Sequence, residues 1–187
     1  WQEGISELSI PTRDAFLAAP LLERYTPMSF RDLLLLMEEY PDICIVTDTK
    51  FTDAEVVTAQ FTAMLNDAHE LGLSYLFDRM VIQVYSPLMF RVVDHLGHFP
   101  HYIYTFYAEG FNGTEEALRE RLTFCRKNGI EGATMWSWLW RPSYAAIAEN
   151  SGVRCYVHTV NDRETAEALL QSGVSAVYTD YLVLHED

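Results

Sequence analysis

The chain has 187 residues, 49% of them hydrophobic, with 27 acidic against 13 basic side chains and a formal net charge of −14. That balance argues against nucleic acid or an anionic membrane as a general partner. The apolar share supports a sizeable core, yet no run of about eighteen apolar residues occurs, so no membrane-spanning helix is expected.

Residues 1–28 read as a loop-rich lead-in. Ile10-Pro-Thr, Pro20 and Pro27 interrupt regular structure, with at most a short helix around Arg13–Ala19. Ser29 then caps a helix over Phe30–Glu39, with Asp32 placed as its capping-box partner. Leu33–Met37 is the buried face of that helix. From here strand-like and helix-like runs alternate. The strands are expected at Ile43–Asp48, Met80–Ser86, Tyr102–Ala108, Ala133–Trp138, Arg154–Val160 and Ala176–Thr179. The helices between them are expected at Asp53–Leu71, Leu88–Leu96, Glu115–Lys127, Tyr144–Asn150 and Arg163–Gln171.

The last unit is the clearest. Arg154 to Val160 is β-branched and aromatic, and Asp162 caps a helix with Glu164 in its first turn. Ala166, Leu169 and Leu170 form an apolar stripe, Gly173 supplies the stop, and Val174 to Tyr178 is a second short strand. Repetition of this βα pattern implies parallel strands joined by right-handed crossovers. The fold class is therefore α/β, a TIM-type (β/α) barrel. A full barrel needs about 250 residues, so this one is expected to be incomplete, with six of eight strands. Linkers, charge blocks and internal repeats are absent, which gives one domain over residues 1–187. Cys44 and Cys155 fall inside expected strands and read as small core residues. With Cys125 they make an odd count without metal-ligand spacing.

Candidate chemistry gathers at the strand C-termini, where barrels of this type hold their active sites. Asp48 and Lys50 share one strand face by the period-two rule. A carboxylate there could hold a divalent cation, and the ammonium could neutralise a phosphate oxygen. The same spacing fits a structural ion pair. Gln83 and Tyr85 also share a face, able to reach a polar substrate head or to be satisfied within a barrel layer. Trp136 and Trp138 alternate with Ser137; facing inward they wall a pocket and facing outward they pack under helices, and Trp138 is expected to point inward. His158 has the ordinary pKa of a general base, but also suits a pocket wall. Asn161 and Asp180 end the last two strands, with Asn161 a candidate substrate contact. His95, His98 and His101 straddle a helix end on the opposite side and read as surface or loop residues.

Two stretches carry a family resemblance. Val157-His-Thr-Val-Asn-Asp162 followed, after a helix, by Gly173-Val-Ser-Ala-Val-Tyr-Thr-Asp180 resembles the barrel-closing motif of glycerophosphodiester phosphodiesterases. Ile43-Cys-Ile-Val-Thr-Asp-Thr-Lys50 is similar to that family's hydrophobic strand ending in acidic-x-Lys. The resemblance implies metal-assisted hydrolysis of a glycerophosphodiester to an alcohol and glycerol phosphate, and because related phospholipases share this barrel plan it leaves a phospholipid-derived substrate open as well. It makes Asp48 a ligand of Ca²⁺ or Mg²⁺, although the family usually has Glu there. It makes Lys50 the phosphate contact. It makes His158 a pocket wall, because the family commonly has an aromatic residue at that position. The family's His-Arg-Gly motif, paired-acid metal motif and second histidine, which precede these strands, are absent, and no histidine occurs before His69. The chain is therefore expected to begin just after the second strand of such a barrel and to be inactive alone. A missing N-terminal segment or another chain is expected to cover the edges at Ile43–Asp48 and Ala176–Thr179. The rival reading is a non-catalytic, barrel-derived binding or interaction module.

Overall fold

The fold is built on a parallel sheet whose strands follow chain order. The computed structural model describes residues 12–97 and 99–183. Its strands are β1 (Ile45–Val46), β2 (Met80–Val84), β3 (His101–Thr105), β4 (Gly132–Trp136), β5 (Arg154–His158) and β6 (Ala176–Val177). They pair in the order β1-β2-β3-β4-β5-β6, every neighbour parallel. The sheet curls into a half-barrel.

Helices α1 (Arg13–Ala18) and α2 (Phe30–Glu39) precede the sheet. Helices α3 (Ala54–Leu71), α4 (Pro87–Leu96), α5 (Glu115–Lys127), α6 (Tyr144–Ser151) and α7 (Arg163–Gln171) connect its strands. Local chemistry sets their starts. Ser29 and Asp32 form the full capping box of α2, while Asp53, Ser86, Thr114 and Asp162 each accept backbone N–H groups of the helix that follows. Pro87 occupies the first turn of α4, where its missing N–H costs nothing.

The two sheet faces differ. Met80, Ile82 and Val84 of β2, Ala133 and Met135 of β4, and Cys155 and Val157 of β5 are buried in the main core. Phe61, Phe77, Phe90, Phe99, Tyr102 and Phe124 add edge-to-face aromatic contacts to that layer. The alternate residues Val81, Ile103, Tyr156 and Val46 line a concave inner face with a hollow of about 300 Å³. Arg79 fixes the approach to β1. Its guanidinium donates to the carbonyls of Tyr40 at 3.1 Å, Pro41 at 2.7 Å and Ile43 at 3.2 Å, and also to Met37.

Several expectations need correction. The outer strands are two residues each rather than six and four, because an edge strand has ladder partners on one side only. Cys44 is exposed, for it lies at that open edge, whereas Cys125 and Cys155 are buried. The third strand stops at Thr105, and the chain turns into a short 3₁₀ segment at Tyr107–Glu109. The fourth stops at Trp136, with Ser137–Leu139 in another 3₁₀ turn. Residues 12–28 hold α1 and one isolated antiparallel bridge, Leu21 to Tyr25, and no further strand of the sheet. Ile10, Pro11 and His98 lie outside the described residues.

Candidate active site

Alternation along the strands brings Asp48, Lys50, Gln83 and His158 to one cavity of about 490 Å³ at the C-terminal ends of the strands. Lys50 follows β1 with φ 63°, in the left-handed region uncommon for a residue with a side chain. That turn lets its ammonium reach back to Asp48 at 2.7 Å. The Tyr107 hydroxyl accepts a second bond from the same Nζ at 3.0 Å. Asp48 first, then Tyr107, raise the Lys50 pKa above its ordinary 10.5, so the side chain is cationic at neutral pH.

Asp48 is held from its other side. Gln83 Nε2 donates to its Oδ1 at 3.0 Å, and the Tyr85 hydroxyl donates to the same oxygen. Gln83 Nε2 also donates to the Tyr85 oxygen at 2.6 Å. Burial, then the adjacent Asp48, push the Tyr85 phenol far above its ordinary pKa, so it is a permanent donor. Thr47 anchors the backbone here, its Oγ1 accepting from the Gln83 N–H at 3.0 Å.

His158 stands on the other side of the cavity inside an aromatic group. Its ring centroid lies 4.5 Å from Trp136, 5.8 Å from Tyr107 and 6.2 Å from Tyr178. Burial, and next the Lys50 charge, lower its pKa, which keeps it neutral. Its Nε2 is buried without a hydrogen-bond partner, and so are the hydroxyls of Thr105 and Thr134 in the same cavity.

Tyr85, Trp138 and Asn161, expected as substrate contacts, do not line this cavity; Tyr85 is buried behind Asp48. Trp138 is 74% exposed and borders a small separate hollow beside Phe111 and Leu139. The expectation that it points inward fails because the strand ends two residues earlier; Trp136 borders the same small hollow and packs against His158. Asn161 instead clamps the end of the last strand. Its amide donates to Asp180 at 2.9 Å, and its Oδ1 accepts from the Asp180 N–H at 2.7 Å and the Thr179 hydroxyl at 3.1 Å. His101 opens β3 at the far end of the sheet, 3.4 Å from Glu131.

Tyr107 is a site residue that the sequence reading missed. Its signal was available, since it continues the inward alternation Ile103, Thr105, Tyr107. No cluster of three or more His, Cys, Asp or Glu side chains able to hold a metal occurs among the described residues. The carboxylates lining the cavity are Asp48 and Asp180. A divalent cation of the Ca²⁺ or Mg²⁺ type takes about six or more oxygens, several of them carboxylate. The described residues therefore do not form such a site by themselves.

The arrangement resembles solved structures. A protein from Galdieria sulphuraria assigned as a glycerophosphodiester phosphodiesterase aligns over 96% of this chain and 70% of its own, with 12% identity and a TM-score of 0.76. A glycerophosphoryl diester phosphodiesterase by assignment from Silicibacter pomeroyi aligns over 81% of this chain at 18% identity and a TM-score of 0.60. An Oleispira antarctica phosphodiesterase, solved in complex with the product sn-glycerol-3-phosphate, aligns over 81% at 13% identity and a TM-score of 0.59. The chain spans 52% of the Silicibacter protein and 56% of the Oleispira one. No family model and no curated protein matches the sequence. At these identities the likeness establishes the fold, that of the glycerophosphodiester phosphodiesterase structures.

Proposed function

We propose that this chain is the C-terminal part of a barrel that hydrolyses glycerophosphodiesters, adding water across a phosphodiester to release an alcohol and glycerol phosphate. The observation that carries this reading is the Asp48–Lys50 pair at the cavity mouth, in a half-barrel sharing its fold with phosphodiesterases. The Lys50 ammonium neutralises a non-bridging phosphoryl oxygen, and Tyr107 holds it at that height. Gln83 and Tyr85 orient Asp48. His158, backed by Trp136, walls the space beside the phosphate.

Asp48 is one ligand of a divalent cation whose other ligands lie outside the described residues, and no step is derived through that ion. The acid and base that move protons, and the two strands that complete an eight-stranded barrel, come from residues outside this sequence. They cover the open edges of β1 and β6. The chain alone is accordingly inactive. The six-strand sheet with its two exposed edges, and the greater length of the structural neighbours, favour this reading.

The test is release of glycerol 3-phosphate from a glycerophosphodiester by the parent protein and by the 187-residue chain. Lys50→Ala in the parent should cost roughly 10²–10³ in kcat, as deleting one electrostatic donor does. His158→Ala should cost much less. Near-full turnover in Lys50→Ala, or turnover by the chain alone, defeats the assignment. The incomplete metal donor set favours a second reading, a barrel-derived module that binds without catalysis. A parent that binds glycerol 3-phosphate but turns nothing over would select it.

A further inference from the structure

The sheet is parallel throughout, so the segments leaving its strands all emerge at one end, the end that holds the cavity. That end presents large apolar side chains to solvent. Phe51 follows β1, Leu88 follows β2, Trp136 and Trp138 close β4, and Tyr181 and Val183 follow β6, and each is 40% or more exposed. The 3₁₀ turn Ser137–Leu139 carries Trp138 outward, to 74% exposed. Trp136 and Trp138 border one shallow hollow together with Tyr107, Phe111 and Leu139.

Single apolar side chains on a surface are ordinary, but a contiguous group marks a contact with a partner or a membrane. Completing the barrel does not pair strands against this group. New strands add at the β1 and β6 edges, and β4 lies two strands inside the β6 edge. The chemistry of the group favours lipid. Trp and Tyr join an apolar ring to a polar N–H or O–H, a composition that sits at the headgroup level of a bilayer. Arg141, exposed and three residues beyond Trp138, has no ion-pair partner among the described residues. Its guanidinium suits a lipid phosphate, and an indole face suits the quaternary ammonium of choline. An anionic surface is disfavoured by the net charge of −14 and by Glu109, Asp162 and Asp180, all exposed at the same end.

We propose that the Trp136–Trp138 turn, with Arg141, is an interfacial anchor that docks the cavity mouth onto a zwitterionic lipid surface of the phosphatidylcholine type. Trp138 enters the headgroup layer, Trp136 backs it, and the open end of the sheet faces the membrane. The anchor does not depend on turnover. A parent protein that binds such vesicles but hydrolyses no glycerophosphodiester keeps the anchor and loses the phosphodiesterase reading.

The experiment is co-sedimentation of the parent protein with sucrose-loaded phosphatidylcholine vesicles. The wild type should partition onto them, and Trp138→Ala should weaken partitioning by about tenfold, the scale of withdrawing one large side chain from an apolar phase. Tyr75→Ala is the control. Tyr75 is 57% exposed in the segment entering β2, at the opposite end of the sheet, and its loss should leave partitioning unchanged. Because Trp138 is so exposed, Trp138→Ala should keep the wild-type melting temperature; if it does not, Trp138→Gln is read in its place. Absence of wild-type binding, equal binding by the Trp138 variant, or an equal loss in Tyr75→Ala overturns the anchor. Binding that appears only with phosphatidylserine and vanishes at high salt also overturns it, because a basic surface elsewhere would then make the contact. A concentration-dependent dimer of the parent that is lost in Trp138→Ala, without vesicle binding, assigns the patch to a second copy instead and overturns it as well.

Discussion

Asp48 and Lys50 form one ion pair, but the structure gives them unequal mechanical roles, and stability measurements should separate them. Asp48 accepts bonds from Lys50, Gln83 and Tyr85, and the last two are 7% and 1% exposed. Asp48→Ala leaves the Tyr85 hydroxyl proton and one Gln83 N–H without an acceptor. Fully buried, each would cost about 1–3 kcal/mol. The Asp48 side chain is 52% exposed, so water reaches the gap and the low end applies, about 2 kcal/mol in all. The Lys50 side chain is 61% exposed, so its share of the pair adds under about 1 kcal/mol. For a domain of this size, Asp48→Ala should lower the melting temperature by roughly 4–10 °C, and Lys50→Ala by less than about 3 °C. Urea unfolding of wild type, Asp48→Ala, Tyr85→Phe and the double variant completes a double-mutant cycle. With no phenol to orphan, Asp48→Ala should cost about 1 kcal/mol less in the Tyr85→Phe background. Equal costs in both backgrounds, or a Lys50→Ala penalty as large as that of Asp48→Ala, would refute the wiring. The asymmetry matters for function. A residue wired to the wall holds position, while a solvent-facing lysine is free to turn toward an anion.

Three further outcomes follow from the same geometry. His158 has its pKa lowered by burial and by Lys50, so the unfolded chain takes up a proton that the folded one resists. Its stabilising contribution is complete above the ordinary value of 6.5 and declines as pH falls below it, so the drop in urea midpoint between about pH 7.5 and about pH 5 should shrink in His158→Phe, and an unchanged drop would count against this. Gly173 has φ 98°, and a Cβ there would lie 2.6 Å from the Cβ of Ala145, so Gly173→Ala should cost at least about 2 kcal/mol in thermal unfolding. A near-neutral result would contradict the close approach of the α7–β6 turn to α6. Cys44 is exposed, while burial pushes the Cys125 and Cys155 thiols up to about 12. One thiol of the native chain should therefore react with a maleimide, and equal Cys44 reactivity in the parent would argue against strands covering that edge.

The sequence carried its local information well. Glu115–Lys127 and Arg163–Gln171 were legible to the residue, because an N-cap and an apolar stripe at helical spacing bound each one. Strand extents were less legible. Whether Cys44 or Asp48 belongs to a strand depends on ladder partners that local pattern does not specify, and Trp138 was misplaced for the same reason. Period-two alternation placed Asp48, Lys50, Gln83 and Tyr85 on inner faces, but their convergence is a property of the sheet. Gln83 lies 35 residues beyond Asp48 in sequence and 3.0 Å from it in space. Arg79 had no sequence signal at all. Its carbonyl partners, Met37 in the last turn of α2 and Tyr40, Pro41 and Ile43 after it, come together only when α2 meets β1.

Charge balance gives a last, separable prediction. The described residues lining the cavity carry two carboxylates, Asp48 and Asp180, against one ammonium, Lys50, with His158 held neutral. A phosphodiester adds another negative charge inside a protein whose net charge is already −14. Asp48 at 2.7 Å and Tyr107 at 3.0 Å engage two of the three Lys50 N–H bonds, so a phosphate can take the third but shares the ammonium charge with Asp48. A divalent cation on Asp48 would relieve that competition. The parent protein should bind glycerol 3-phosphate more tightly with Ca²⁺ or Mg²⁺ than after chelation. Asp48→Ala should abolish that difference. Lys50→Ala should weaken binding under both conditions while keeping the metal dependence. Equal affinity with and without the ion in the wild type would mean that Lys50 alone balances the ligand, and Asp48 would then revert to a purely structural partner.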